Sequence, residues 1–140
     1  SGSHMFIANG KVNNPILNMI KNKRYTHFLP KISTLAARKK WIIGSLNHNG
    51  TIYIDNGAAK ALSNGKSLLA AGITKINGNF KKGENVIILD QNNIQLARGL
   101  SSFSSNEIDK IKGKQSKQIE AILGYLSKTE VIHKDDMVLL

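Results

Sequence analysis

From Asp55 to Gly99 the chain runs through a capped helix, a glycine-bounded apolar segment and two turn-punctuated strand pairs. The connections are so short that few arrangements can accommodate the order. Asp55 is placed to cap a helix over Asn56 to Ser63, with Ala58, Ala59, Ala61 and Leu62 as its apolar face. Gly65 stands where a left-handed helix exit favours glycine. After Lys66-Ser67-Leu68-Leu69, Gly72 releases the chain into a strand over Ile73 to Asn77. Phe80-Lys81-Lys82-Gly83-Glu84 turns it into a strand over Val86 to Leu89, and Asp90-Gln91-Asn92-Asn93 turns it again into Ile94 to Ser101. Further strands are expected near Trp41 to Leu46, Thr51 to Ile54 and Val138 to Leu140, and further helices near Ser105 to Ile111 and Lys117 to Leu123.

This order resembles the PUA domain, a small mixed β-barrel found mostly on RNA-modifying enzymes. The last part of the chain narrows the likeness. Ala121-Ile122-Leu123-Gly124-Tyr125 and His133-Lys134-Asp135-Asp136-Met137 resemble segments at the end of the bacterial glutamate 5-kinase family, and neither belongs to PUA domains in general. The expected architecture is therefore α+β, mainly β with helices. A PUA-like mixed barrel over residues 41–140 would carry a helical insertion at about 104–124 that the resemblance makes peculiar to the kinase family. Within it, Ile108, Ile111, Ile119, Ile122 and Leu123 recur at helical spacing and are expected to pack inward.

Residues 5–40 need a separate account. Phe6-Ile7-Ala8, Pro15 to Ile20 and Tyr25 to Phe28 read as strand, helix and strand, with Pro15 in the first helical turn. Ala8-Asn9-Gly10, Thr26, Phe28 and Arg38-Lys39-Lys40-Trp41-Ile42 keep the register in which the kinase family closes its α/β amino-acid-kinase domain. The resemblance makes this segment a remnant of that domain with its linker. Tyr25 stands where the family has glycine, so a phosphate-loop role is not carried over to this turn. Residues 1–4, Ser-Gly-Ser-His, read as a tag scar.

A chain of 140 residues has room for one ordinary domain and an appendage. It contains no cysteine, which removes disulfides and thiolate metal sites, and no apolar run long enough to span a membrane as a helix. A cytoplasmic setting is expected. The net charge of +11 points toward nucleic acid, yet its distribution is uneven. Residues 6–40 hold eight basic groups and no acid, whereas residues 41–140 hold twelve basic and nine acidic groups, so most of the excess precedes the module. That basic run reads as a solvated face or a contact with other parts of a parent protein rather than as an RNA footprint.

Few residues carry a chemical signature. His27, His48 and His133 lack metal-ligand spacing. Asp135-Asp136 reads as a turn or cap, Ser104 with Glu107 as a capping box, and Trp41 as a buried anchor. Glycines at Asn9-Gly10, Gly78-Asn79 and Gly83-Glu84 read as turn or bulge positions.

The kinase resemblance implies a parent enzyme that uses ATP and magnesium to phosphorylate the side-chain carboxylate of glutamate in the first step of proline biosynthesis. This stretch would be an accessory, regulatory module with no catalytic, cofactor or metal residue of its own, inactive alone. Its partners would be the missing kinase domain and, through residues 6–35, a second copy of the chain. The alternative is an RNA-binding module. Carried over from PUA domains, its contacts would be Lys60, Gly65, Lys66, Ser67 and Lys134.

Overall fold

The computed structural model describes residues 2–44, 48–125 and 128–140. The chain divides into two compact units, Ser1–Arg38 and Lys39–Leu140.

In the first unit, strands β1 (Met5–Ile7) and β2 (Thr26–Phe28) pair antiparallel, Phe6 opposite His27, around helix α1 (Pro15–Asn22). Proline at the first helical turn gives up an N–H that has no intrahelical partner anyway, so α1 begins there without a side-chain cap. No residue of α1 is buried: Ile16, Leu17 and Ile20 of its apolar stripe, with Leu29 beyond β2, are all exposed. The expected strand, helix and strand are present, and the two strands satisfy one edge of each other.

Helix α2 (Thr34–Gly44) crosses the division. It corrects the strand expected at Trp41 to Leu46, whose last two positions lie outside the described residues. Ser33 accepts a hydrogen bond from the Ala36 N–H at 3.2 Å, and Leu35 to Lys40 are helix formers with no breaker before Gly44. The β preference of Trp41-Ile42-Ile43 therefore yields to a helix already under way. Trp41 is also not the buried anchor: it is 59% exposed, and Ile42 is the residue wholly buried from this turn. Asn85 Nδ2 donates to the Ile42 carbonyl at 2.9 Å, supplying one of the partners a helix C-terminus lacks.

The second unit is built on one five-stranded sheet in the order β5-β3-β6-β7-β9, formed by β3 (Gly50–Ile54), β5 (Ile73–Gly78), β6 (Asn85–Leu89), β7 (Gln95–Leu100) and β9 (Met137–Leu139). β3 and β6 run parallel and the other neighbours antiparallel, which makes the sheet mixed as expected. It does not close into a barrel. A separate pair, β4 (Leu68–Leu69) and β8 (Glu130–Ile132), lies outside it. Helix α3 (Asn56–Ser63) follows β3, while α4 (Ser105–Ile111) and α5 (Ser116–Leu123) come between β7 and β8.

Alternation along the strands points Ile52, Ile54, Val86, Ile88 and Ala97 into one core with Phe80, Phe103 and Val131. Gly99 is required where it stands: a Cβ there would lie 2.7 Å from Ile132 Cγ2 and 3.0 Å from the Asp136 carbonyl oxygen. α4 and α5 contribute Ile108, Ile111 and Ile119 to this core. The inward role expected of Ile122 is corrected, since it is 37% exposed. α5 meets the core through Ile119, with Leu123 at the margin of that contact.

Candidate nucleic-acid interface

The candidate contacts meet where α3 ends. Asp55 Oδ1 accepts from the Ala58 N–H at 2.7 Å and starts the helix. At its end the Gly65 N–H donates to the Leu62 carbonyl at 2.8 Å, and Gly65 takes φ +71°. A side chain would be strained in that conformation, so the sharp exit depends on glycine. The turn leaves Lys66 exposed and leads Ser67 beneath the other end of the chain. There Ser67 Oγ accepts from the Lys134 N–H at 3.1 Å.

The structure thus brings together Gly65, Lys66, Ser67 and Lys134, four of the five expected positions. Lys60, the fifth, is exposed on α3, and its carbonyl receives the Asn64 N–H at the helix end. Lys134 lies in a 3-10 turn, Lys134–Asp136, begun by a bond from the Asp135 N–H to His133 Nδ1 at 3.2 Å. Asp135 and Asp136 are therefore parts of a turn, as expected.

Two concavities flank this loop. One, of about 570 Å³, lies between α3 and the 3-10 turn Ala70–Gly72, with Ala58, Ala61, Leu68, Leu69 and Ala71 in its walls. Lys66, Ser67, Asp55 and Glu130 supply its polar groups. The other, of about 440 Å³, is bounded by Leu62, Gly65, Lys134 and β9, with Lys39 at its edge. Both open at the surface and mix apolar side chains with charges of both signs, Lys66, Asp55 and Glu130 in the first and Lys39, Lys134 and Asp135 in the second.

A second polar cluster joins α4 to the segment after α5. Ser104 Oγ and Glu107 form the expected capping box, and the Ser104 N–H donates to Glu107 Oε2 at 2.7 Å. The Tyr125 hydroxyl donates to Glu107 Oε1. Burial pushes the Glu107 carboxyl up, but the bonds from Tyr125 and Ser104 and the field of Lys82 outweigh it and hold the group below its ordinary value. The same bond to Glu107 raises the Tyr125 hydroxyl.

Sequence reasoning missed the strand pair β4–β8, which carries the Ser67–Lys134 contact. Two residues of β4 and three of β8 are too short to show a period, and the apolar pairs Leu68-Leu69 and Val131-Ile132 signal burial without naming a partner.

The parallel β3–β6 pair, the capped helix between β3 and β5 and the glycine exit beneath the last strand define a PUA-type module. The PUA domain family model matches residues 50–123, and the chain belongs to that family. It is 62% identical over 138 residues to glutamate 5-kinase of Pelagibacter ubique (strain HTCC1062), covering 99% of this chain and 38% of that protein. It is 42% identical over 139 residues to glutamate 5-kinase of Rhodopseudomonas palustris (strain BisA53), covering 99% of this chain and 37% of the relative. The chain thus spans well under half the length of these curated relatives. Among solved structures it is similar to a PUA domain from Aeropyrum pernix K1 in a tartrate complex, with 22% identity, a TM-score of 0.46, and coverage of 61% of this chain and 41% of that one.

Proposed function

We propose that this chain is the PUA-bearing part of a glutamate 5-kinase and serves the catalytic part as an accessory, regulatory module. The observation that carries the reading is the 62% identity running through 99% of the chain, leader and module alike. In such a parent, ATP with magnesium supplies the phosphoryl group and the side-chain carboxylate of glutamate accepts it, opening a route to proline in the cytoplasm.

On this reading the nucleotide belongs to the catalytic part of the parent. Phosphoryl transfer needs backbone N–H groups gathered around the phosphates, with a cation and an orienting base. The positive-φ glycines of the described residues, Gly65, Gly78, Gly83, Gly113 and Gly124, instead sit singly at helix ends and strand turns. The test is to incubate the chain with ATP, magnesium and glutamate and trap glutamyl phosphate as the hydroxamate. No product is expected from this chain alone, and sustained product would overturn the assignment of an accessory role. For the regulatory part, the full-length relative is compared with a version cut before the matching module. A changed response to proline with catalysis retained is expected, and identical responses would overturn it.

The Ser67–Lys134 bond favours a second reading, an RNA-binding module. It ties the loop carrying Gly65, Lys66 and Ser67 to the turn carrying Lys134, beside two concavities. Gel shifts with structured RNA at low salt test it, and absence of any shift at micromolar protein would end it.

A further inference from the structure

Five Asn-Gly pairs occur in the chain, beginning at Asn9, Asn49, Asn56, Asn64 and Asn77. All five asparagines are exposed, so solvent access does not separate them. What separates them is how the backbone around the following glycine is held. Gly50 and Gly78 lie opposite each other in the β3–β5 ladder, and Gly50 is also in register with Val86 of β6. Asn56 and Gly57 open α3, which keeps Asn56 in helical backbone geometry. The Gly65 N–H donates to the Leu62 carbonyl at 2.8 Å. Asn9-Gly10, by contrast, lies in the connection between β1 and α1, outside both elements. The Gly10 N–H has no hydrogen-bond partner among the described residues, and nothing stands within 4 Å of where a Gly10 Cβ would lie. One residue further on, the Lys11 N–H donates to Asn9 Oδ1 at 2.9 Å and closes an Asx-turn.

We propose that Asn9 is a site of spontaneous covalent modification, converting to aspartate and isoaspartate through a cyclic imide formed with Gly10. The Gly10 nitrogen gives up its proton to solvent and attacks Asn9 Cγ, forming the N–Cγ bond of a five-membered ring. The Cγ–Nδ2 bond then breaks, and Nδ2 takes a proton from solvent and leaves as ammonia. Water opens the ring at either carbonyl, so one water is consumed and one ammonia released for each side chain converted. Attack puts negative charge on Oδ1, where the Lys11 N–H already donates. Glycine leaves the attacking nitrogen unhindered and lets the backbone turn into the ring conformation. In the other four pairs a ladder, a helix or a bonded N–H must open first. The product carboxylate is the first acid in residues 6–40, which otherwise hold eight basic groups. It arises at a concavity of about 220 Å³ that Asn9 and Arg24 both line. This chemistry is independent of what the module binds.

The test is to incubate the full chain in mildly alkaline buffer, with and without enough guanidinium chloride to unfold it, and to follow each Asn-Gly pair by peptide mapping with mass spectrometry. In the unfolded chain the five pairs are expected to convert at similar rates, because the reacting dipeptide is the same. In the folded chain Asn9 is expected to convert at least about tenfold faster than any other pair, the rate equivalent of roughly one net hydrogen bond holding the competing backbone groups. Ion exchange should show an acidic species growing in step with it. Gly10→Ala, which crowds the attacking nitrogen, is expected to suppress conversion at Asn9 and to leave the other four pairs unchanged. If any other pair converts within that tenfold margin of Asn9 in the folded chain, or if folding protects Asn9 as strongly as it protects the rest, the inference falls. Conversion of Asn9 at the wild-type rate in Gly10→Ala would overturn the ring route through the Gly10 nitrogen.

Discussion

The Lys134 N–H donates to Ser67 Oγ at 3.1 Å across 67 positions of sequence, tying the loop after α3 to the turn before β9. Ser67 is half-buried, and the bond lies beside the β4–β8 pair, whose few ladder bonds leave it dependent on such extras. Replacing Ser67 with alanine is expected to cost about 0.5–1.5 kcal/mol, the usual net worth of one such bond. Urea unfolding checks this. Amide exchange should also quicken at Lys134 more than in β6 or β7; unchanged exchange there would show that the bond does not hold the turn.

Ile119 and Ile122 separate what the helical pattern reveals from what it hides. Both recur at the same spacing, yet Ile119 is 1% exposed and Ile122 37%. Replacing Ile119 with aspartate is expected to cost about 3 kcal/mol or more, because an unpaired charge would enter the core. Ile122→Asp is expected to cost under about 1 kcal/mol, as a substitution at a partly exposed position. Thermal unfolding of the two variants decides the order.

Legibility followed how local the physics was. Helix α3 runs over the expected Asn56 to Ser63 and α4 over Ser105 to Ile111, since each boundary is set by a cap within the segment: Asp55, Gly65, and Ser104 with Glu107. The hairpin at Asp90 was legible for the same reason, Asp90 Oδ1 accepting from the N–H groups of Asn92 and Ile94. Trp41-Ile42-Ile43 was not, because a strand-like triplet was absorbed into a helix nucleated at Ser33. Nor were the partners of Asn85 and Tyr125, which depend on contacts 43 and 18 residues away. At the interface, residue types were readable while their convergence on Ser67 was not.

Glu107 makes the module sensitive to acid. Its carboxyl is lowered from an ordinary value of 4.5, so the fold binds the ionised form more tightly than the unfolded chain does. This contribution is fully present above about pH 4.5 and is lost as the pH falls through the lower folded value. Tyr125 acts at the other end. Its hydroxyl is raised from 10.0, so its share is present below that value and lost as the pH rises through the higher folded one. Tyr125→Phe is expected to remove the alkaline loss and shrink the acid one, leaving the part held by Ser104. Melting temperatures of wild type and variant from pH 3 to pH 11 check this, and parallel curves throughout would contradict it.

The leader is expected to draw chains together. Among the described residues of α1 none is buried, and Ile16, Leu17, Ile20 and Leu29 are between 50% and 71% exposed. β1 and β2 form a two-stranded sheet, which satisfies one edge of each strand by pairing and leaves the other without a strand partner among the described residues. Such edges and apolar faces find partners, and a second copy offers the same surface for a symmetric contact. The eight basic groups of residues 6–40 oppose that contact by mutual repulsion, so association should strengthen as salt screens them. Light scattering on the full chain and on a shortened chain beginning at Arg38 is expected to give a larger mass for the former, increasing with salt. Equal monomeric masses at every salt concentration would show that residues 6–35 do not associate.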